Sequence, residues 1–341
     1  MLQLFHRFDG PRAIADLVAG SDTDVLTKLD GKPALLHLPG TLSGTPARLI
    51  ATLLHGNEDS GFRALCRWLR TAPVVRQPLW MFIGNTRAAS QNGWFADRYL
   101  DDQEDFNRVW GIYPATTRMR LCAQQVFEII TASPLEAAID IHNNTGDNPL
   151  YCIVPDPNPA SYALAAALAE IGLLWGTQQH TLMQALEPVC PAVAVECGMA
   201  GVPAHVDVAV GVIKTFLAAP HFGGDLPARM LEVRQRVEVR REVVFDFARE
   251  LTDDLDLVVM PGLDAANFER LPAGTVLGRT VPGSDIPFEV IDVDGRDTTA
   301  DFLHIDAAGK VALIQDVIPA MMTRTPEQTR RDCLFYILEH H

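Results

Sequence analysis

The sequence contains no run of about 18 consecutive apolar residues, the shortest length with which a helix spans a membrane. We therefore expect no transmembrane helix and no membrane partner, although 48% of the 341 residues are hydrophobic. The N-terminal segment is interrupted early by Arg7, Asp9 and Arg12, so it is not predicted to be a signal peptide. These absences indicate a cytoplasmic protein with a sizeable apolar core.

Cysteine pairs and basic runs are missing as well. The six cysteines include no Cys-x-x-Cys pair, and we expect them to be small core residues of a reduced protein. The 28 Lys and Arg residues are outnumbered by 43 Asp and Glu residues, and the formal net charge is -15. Nucleic acid is therefore an unfavourable partner, and an anionic substrate would need locally placed arginine or lysine. The number of subunits, a homo-oligomer included, stays open.

Short apolar runs alternate with amphipathic segments over roughly the first two thirds of the chain. The predicted strands are 47–54, 78–84, 137–141, 151–154 and 192–195. The predicted helices are 61–71, 119–132, 159–172 and 205–219. Strands that are apolar throughout and separated by helices are typical of a sheet that helices cover. We therefore predict an α/β fold with a mixed, mostly parallel sheet.

The pattern changes after residue 221. Residues 226–251 are rich in Arg and Glu and are predicted to form a long helix. Short β-like runs separated by Gly, Pro and Asp follow at 257–260, 275–279, 287–293 and 310–314. The sequence thus predicts two domains: residues 1–221, and a smaller β-rich domain over 222–341 that begins with the long helix.

Polar clusters directly follow four of the predicted strands. They are His55-Gly56-Asn57-Glu58, Gly84-Asn85-Thr86-Arg87, His142-Asn143-Asn144 and Glu196-Cys197-Gly198. In open α/β sheets, ligands bind beyond the carboxyl ends of the strands. We therefore expect these clusters to share one edge of the sheet and to form a site there.

His55 and Glu58 are spaced so that both side chains can reach one ion. Imidazole nitrogen and carboxylate oxygen suit zinc, and a catalytic zinc needs three protein ligands and an open position. His142 is the third candidate, and Asp140, on the same strand face, is expected to orient an imidazole. Glu196 ends a third strand, and a buried glutamate is rare unless it is paired or functional. A chance motif, or a salt bridge from Glu196 to a buried arginine, remains an alternative.

Four segments, in order over roughly residues 50–200, have the form of known family motifs. They are LLHGNEDSG (53–61), GNTRAASQNGWFADRYLDDQEDFNRVW (84–110), AIDIHNNTG (138–146) and AVAVECG (192–198). They resemble the zinc carboxypeptidase superfamily and, more narrowly, its aspartoacylase and succinylglutamate desuccinylase branch. The resemblance implies a mixed sheet sandwiched by helices, and one zinc ion per chain that His55, Glu58 and His142 hold. Residues 1–221 would then be the catalytic domain.

The resemblance also implies roles around the metal. Glu196 would be the general base and then the acid to the leaving amine, as a carboxylate can be. Arg98 would polarise the scissile carbonyl, because fixed positive charge stabilises a developing oxyanion. Asn107 and Arg108 would grip a substrate carboxylate, which the planar guanidinium matches. A solvated charged loop is the alternative for DRYLDDQEDFNR.

Departures from the family pattern bear on the substrate. No Asn-Pro-Asp-Gly segment of the peptidase type is present, and Arg98 precedes Asn107 by only nine residues. This spacing favours a deacylase that cleaves an amide bond in an N-acyl amino acid or similar small carboxylate-bearing substrate. A metallocarboxypeptidase acting on short-peptide C-termini is the second hypothesis. A non-catalytic binding protein of the same fold is the third, and it requires one of the four key side chains to face away.

Overall fold

A computed structural model of the chain describes residues 4–144, 146–176, 178–222 and 226–341. Thr145 of the AIDIHNNTG segment, and Gly223 and Gly224 at the predicted domain boundary, lie outside these ranges. The chain forms two compact units, which are Met1–Asn143 with Leu150–Met230, and Asn144–Pro149 with Leu231–His341. Among the described residues, none of the helices has both the length and the apolarity that crossing a bilayer requires.

The first unit contains a large sheet flanked by helices. Its strands are β1 (His6–Asp9), β2 (Ala34–Leu38), β3 (Ala47–Thr52), β4 (Leu79–Ile83), β5 (Leu135–Asn144), β6 (Leu150–Val154), β7 (Ile171–Leu174) and β8 (Ala192–Met199). Its helices are α1 (Gly10–Val18), α2 (Asp22–Leu29), α3 (Asp59–Leu69), α4 (Arg118–Ile130), α5 (Pro159–Leu168), α6 (Leu182–Leu186) and α7 (Pro203–Ala218). The strands follow the order β1-β2-β4-β3-β5-β8-β6-β7 across the sheet.

Most neighbouring strands of this sheet run parallel. β3 is parallel to both β4 and β5, β1 is parallel to β2, and β6 is parallel to β7. β2 runs antiparallel to β4, and β6 runs antiparallel to β8. The predicted α/β class with a mixed, mostly parallel sheet is confirmed.

Both faces of the sheet are buried, which explains why its strands are apolar throughout. Successive side chains of β3 point to opposite faces: Leu49 packs in the cluster that contains Val126 of α4, and Ile50 packs in the cluster that contains Phe62 of α3. Each fully buried side chain of this size contributes about 1.5–3 kcal/mol. The helices on the two faces therefore hold the central strands, and with them the strand ends, in place.

The first turn of α3 presses against the carboxyl ends of two strands. A Cβ at Gly61 would collide with Thr52 Oγ1 and would lie only 2.8 Å from Ile141 Cγ2. Only glycine permits this approach of the helix to the sheet. The contact brings Glu58, which immediately precedes the helix, next to the ends of β3 and β5.

The second unit, with the strand that leads into it, is rich in β structure. Its strands are β9 (Arg229–Val239), β10 (Phe245–Phe247), β11 (Leu257–Val259), β12 (Val276–Thr280), β13 (Phe288–Asp292), β14 (Leu303–Ile305), β15 (Lys310–Leu313), β16 (Ile318–Ala320) and β17 (Phe335–His340). Two short helices, α8 (Thr299–Phe302) and α9 (Pro326–Arg331), accompany them. One sheet has the order β10-β11-β12-β15-β14, and β9 pairs antiparallel with β13 and β17. A core of its own, including Val237, Phe288 and Phe335, lies in this unit.

The long helix predicted over 226–251 is wrong, because residues 229–239 form the strand β9. The sequence RMLEVRQRVEV places Leu231, Val233, Val237 and Val239 at even spacing, and these side chains are buried. This period of two suits a half-buried strand, and the intervening charges remain at least partly accessible to solvent. The density of Arg and Glu was a weaker signal than the alternation of β-branched residues.

Candidate metal centre

Two parallel neighbouring strands bring the two histidines to one edge of the sheet. β3 and β5 are in register with Thr52 opposite Ile141, and the chain leaves β3 through Leu53, whose φ of 57° lies in the left-handed region. Such a backbone is strained for leucine and needs support from its surroundings. The turn leads directly to His55, and His142 follows Ile141 in β5; both side chains are buried.

His55, Glu58 and His142 lie together around the Glu58 carboxylate. His55 Nδ1 is 2.7 Å from Glu58 Oε1, and His142 Nδ1 is 2.6 Å from Glu58 Oε2. One donor atom from each residue lies within 4.8 Å of those from the other two, so the group could hold a metal ion. Two imidazole nitrogens and a carboxylate oxygen form a donor set that zinc accepts. The structure thus brings the three predicted ligands together, and their role as ligands stays a prediction.

On each imidazole, the nitrogen that does not contact Glu58 lies next to a second carboxylate. His55 Nε2 is 3.0 Å from Asp105 Oδ1, and His142 Nε2 is 2.6 Å from Asp140 Oδ2. A carboxylate beside Nε2 favours the tautomer that carries its proton on Nε2, and Nδ1 would then be free to bind a metal ion. Asp140 makes the contact expected from the sequence.

Burial and nearby opposite charges shift the pKa values of these groups in opposite directions. Burial raises the pKa of Glu58, but His55 and His142 outweigh it and hold that pKa well below its ordinary range. Burial likewise raises the pKa of Asp105, and His55 and Arg98 bring it far down. The pKa of His142 is lowered by burial, yet Asp140 and Glu58 raise it overall. Glu58 is therefore held as a carboxylate, which is the form in which it can bind a cation.

Glu196 lies in β8 within electrostatic reach of the same cluster. Its side chain is buried, and the residue is only 8% exposed. Burial raises the pKa of Glu196 to about 7; His142 opposes this rise, and Glu58 adds to it. A carboxyl group with a pKa near neutrality can both accept and release a proton under ordinary conditions. Because His142, Glu58 and His55 all act on its pKa, Glu196 lies near the three candidate ligands.

Arg98 is tied to the ligand loop through its backbone and its side chain. Gly56 N donates to Arg98 O at 2.9 Å, and a Cβ at Gly56 would lie 2.5 Å from Ala89 N, so this loop packs closely. The guanidinium Nη2 donates to Asp105 Oδ2 at 3.2 Å, and Nη1 lies 3.5 Å from Glu58 Oε1. Its positive charge therefore lies beside two carboxylates of the cluster, and its role toward a scissile carbonyl stays a prediction.

Asn107 and Arg108 occupy a short 3-10 turn, Phe106–Arg108. The buried Asn107 side chain accepts from Leu182 N at 3.0 Å through Oδ1, and its Nδ2 is 3.3 Å from His142 Nε2. Arg108 is exposed and donates from Nη1 to Asn107 O at 2.8 Å. The two predicted carboxylate-binding residues thus differ: Asn107 contacts groups of the protein, and Arg108 is accessible from solvent.

Two residues of the centre were missed by the sequence reasoning. Asp105 lies in the segment 84–110, where the sequence predicted no role for it, although it contacts His55. Asn143 donates from its backbone N to Glu58 Oε2 at 3.2 Å, and its side chain accepts from Ser60 N at 3.0 Å. The place of Asp105 just before Asn107 and Arg108 could have indicated it, because ligating histidines commonly bind a second carboxylate.

No protein-family model and no curated protein matches the sequence. Solved structures do match. A succinylglutamate desuccinylase/aspartoacylase from Rhodobacter sphaeroides is 16% identical, with a TM-score of 0.59, and the match covers 89% of this chain and 87% of the other. A succinylglutamate desuccinylase from Silicibacter is 15% identical, with a TM-score of 0.57 and coverage of 90% and 88%.

The ectoine utilization protein EutE from Ruegeria pomeroyi, in a product-bound structure, is also similar. It is 17% identical to this chain, with a TM-score of 0.53, and the match covers 82% of this chain and 87% of the other. The chain therefore has the zinc carboxypeptidase-like fold of the succinylglutamate desuccinylase and aspartoacylase proteins. The resemblance read from the four sequence segments is confirmed at the level of the fold.

Proposed function

We propose that this protein is a zinc-dependent hydrolase that cleaves an amide bond in a small carboxylate-bearing substrate, as an N-acyl amino acid deacylase does. The observation that carries the proposal is the approach of two Nδ1 atoms to the two oxygens of one buried carboxylate. We assign the activity to the domain predicted over residues 1–221, with one zinc ion per chain.

His55, Glu58 and His142 would hold the ion. A bound zinc ion lowers the pKa of a water ligand and polarises a carbonyl group. Asp105 and Asp140 would orient the two imidazoles through their contacts with Nε2, so that each Nδ1 could serve as a ligand.

Glu196 is the group that moves the proton. As a carboxylate it accepts a proton from the attacking water, and as a carboxylic acid it delivers that proton to the departing amine nitrogen. Its raised pKa supports both steps, because neither protonation state is strongly favoured near neutral pH. Arg98, beside Glu58 and Asp105, supplies fixed positive charge to the carbonyl oxygen as that oxygen becomes negative.

Arg108 is the group that we assign to the substrate carboxylate. Arg108 is the exposed last residue of the 3-10 turn Phe106–Arg108, and its planar guanidinium can bind a carboxylate through two hydrogen bonds. The names of the matched proteins denote deacylation of acidic amino acids, which agrees with this assignment.

Two alternatives remain to be separated from the deacylase. A metallocarboxypeptidase would use the same ligands and base on a peptide C-terminus. A non-catalytic binding protein requires one of the four key side chains to face away, and the grouping of His55, Glu58 and His142 near Glu196 argues against it. The cytoplasmic location and the number of subunits stay predictions.

The first experiment is metal analysis of the purified protein, beside His142→Ala and the matched control His37→Ala. His37 is a half-buried histidine of β2, outside the cluster. We expect about one zinc per chain in the wild type and in His37→Ala, and a large loss in His142→Ala. N-acyl acidic amino acids are then compared with short peptides as substrates. Absence of zinc from the wild type, even after zinc is added, would overturn the hydrolase proposal.

A further inference from the structure

The chain between β4 and α4 is long and irregular, yet it carries much of the candidate site. Residues 84–117 contain the 3-10 turn Phe106–Arg108 as their helical element, and Arg98 and Asp105 lie before it. An irregular segment gains no stability from a repeating backbone hydrogen-bond pattern, so other contacts must offset the entropy lost when it is ordered. The contacts that tie this segment to the sheet therefore matter for the site.

One such contact is a reciprocal pair of side-chain amides between Asn85 and Gln103. Asn85 Nδ2 donates to Gln103 Oε1 at 3.2 Å, and Gln103 Nε2 donates to Asn85 Oδ1 at 3.1 Å. Each acceptor takes a further backbone proton: Gln103 Oε1 from Leu100 N at 3.0 Å and Asn85 Oδ1 from Ala88 N at 3.2 Å. Asn85 is 3% exposed, so the pair is shielded from competing water on that side.

The pair joins the end of the rigid strand β4 to the middle of the irregular segment. Asn85 comes two residues after β4, and its backbone N donates to Leu53 O at 2.5 Å, in the turn that leads to His55. Gln103 lies between Arg98 and Asp105 in the chain, and both of those residues contact the candidate metal ligands. A shift at Gln103 is therefore transmitted to both of them.

We infer that Asn85 and Gln103 are positioning residues: their amide pair holds Arg98 and Asp105 against Glu58 and His55. Neither residue is assigned a contact with substrate or metal. The inference rests on the proposed function, because its effect is exerted through the ligands of the zinc ion. Without the pair, Asp105 would hold His55 Nε2 for a smaller fraction of the time, and zinc would leave the site more readily.

The test compares zinc release from four variants with release from the wild type. Gln103→Ala and Asn85→Ala each remove one side of the pair, and the double variant that combines them removes both sides. Gln77→Ala is the matched control, because Gln77 is also a half-buried glutamine that flanks β4, and its Nε2 donates to Glu136 at 2.6 Å, away from the site. Each zinc-loaded protein is mixed with an excess of a chromogenic chelator, well below its melting temperature, and the first-order release rate is recorded.

We expect Gln103→Ala to release zinc about three- to tenfold faster than Gln77→Ala, less than the ten- to hundredfold effect of removing a residue that touches a ligand directly. The double variant should release zinc more slowly than the product of the two single effects predicts, because both substitutions remove the same amide pair. If Gln103→Ala does not fold, Gln103→Glu serves instead, since it keeps the acceptor for Leu100 N and loses the donor to Asn85.

Equal release rates from Gln103→Ala and Gln77→Ala would overturn the inference, as would multiplicative effects of the two substitutions in the double variant. Both results presuppose a wild type that binds zinc, so they leave the proposed function standing. A wild type that binds no zinc would instead overturn the proposed function, and the inference with it.

Discussion

Replacing Asp105 with alanine should weaken zinc binding without unfolding the protein. Asp105 Oδ1 holds His55 Nε2 at 3.0 Å, and Oδ2 holds Arg98 Nη2 at 3.2 Å. Its side chain is only 16% exposed, so solvent screens these interactions weakly. The substitution leaves the His55 ring free to rotate and to present the wrong nitrogen to the metal.

The size of the effect follows from the geometry. A carboxylate that directly orients a ligating histidine is typically worth ten- to hundredfold in metal affinity, or about 1.4–2.7 kcal/mol. Asp105→Asn should lose less zinc affinity than Asp105→Ala, because its amide oxygen can still accept a hydrogen bond from His55 Nε2. It should still bind more weakly than the wild type, since a charged acceptor makes a hydrogen bond roughly twice as strong as a neutral one.

Zinc dissociation constants measured by competition with a chelator test this order. Asp102→Ala is the matched control: Asp102 lies in the same segment, is 63% exposed and pairs with Arg87 rather than with a ligand. We expect its affinity to equal that of the wild type. The reasoning fails if Asp105→Ala binds zinc as tightly as Asp102→Ala, because His55 would then be oriented by something other than Asp105.

Three further predictions concern catalysis and stability. Glu196→Gln should keep its zinc and lose about 10²- to 10⁴-fold in kcat, the usual contribution of a general base; normal turnover would remove that role. Arg108→Ala should raise KM for a carboxylate-bearing substrate roughly tenfold, with little change for a neutral amide analogue or in the exposed control Arg118→Ala. Because the pKa of Glu196 is raised from 4.5 to about 7, the folded state holds its proton more tightly, and the stability that this proton gives is lost as pH rises between those values. Denaturant unfolding of the zinc-free protein should therefore show Glu196→Gln gaining stability over the wild type from pH 5 to pH 8, and a constant difference would contradict the assigned burial.

The central sheet could be predicted because its strands are buried on both faces. The apolar runs at 47–54, 78–84 and 192–195 correspond to β3, β4 and β8, whose limits differ from the predicted ones by only a few residues. The sequence did not predict β1, β2, α1 and α2, which precede the first recognised motif. Short elements carry a weak periodic signal, and their existence is decided by the surface against which they pack.

The prediction for residues 226–251 relied on their charge, whereas the burial of alternate side chains decided their structure. Residues 226–251 were interpreted as a helix because Arg and Glu are frequent there, and β9 instead buries Val237 and Val239 against the core of the second unit. The predicted helix over 159–172 also ends early: α5 stops at Leu168, and Ile171 begins β7. An apolar stretch of this kind fits a buried helix or a buried strand equally well until its neighbours are known.

The candidate site, like the fold, was determined in part by the sequence alone and in part by the tertiary structure. The sequence by itself determined which residue types stand at the strand ends: His55 and Glu58 after β3, and His142 and Glu196 within β5 and β8. Local spacing and the order of motifs are properties of the chain and need no fold to be recognised.

Only the tertiary structure decided which atoms face one another. It directs Nδ1 of both histidines toward Glu58, and it brings Asp105, fifty residues from His55 in the chain, onto that residue's Nε2. It also raises the pKa of Glu196 by burial. Distances between residues remote in sequence, and the exclusion of water around them, arise only when the sheet and its covering helices pack together, so no local pattern in the sequence records them.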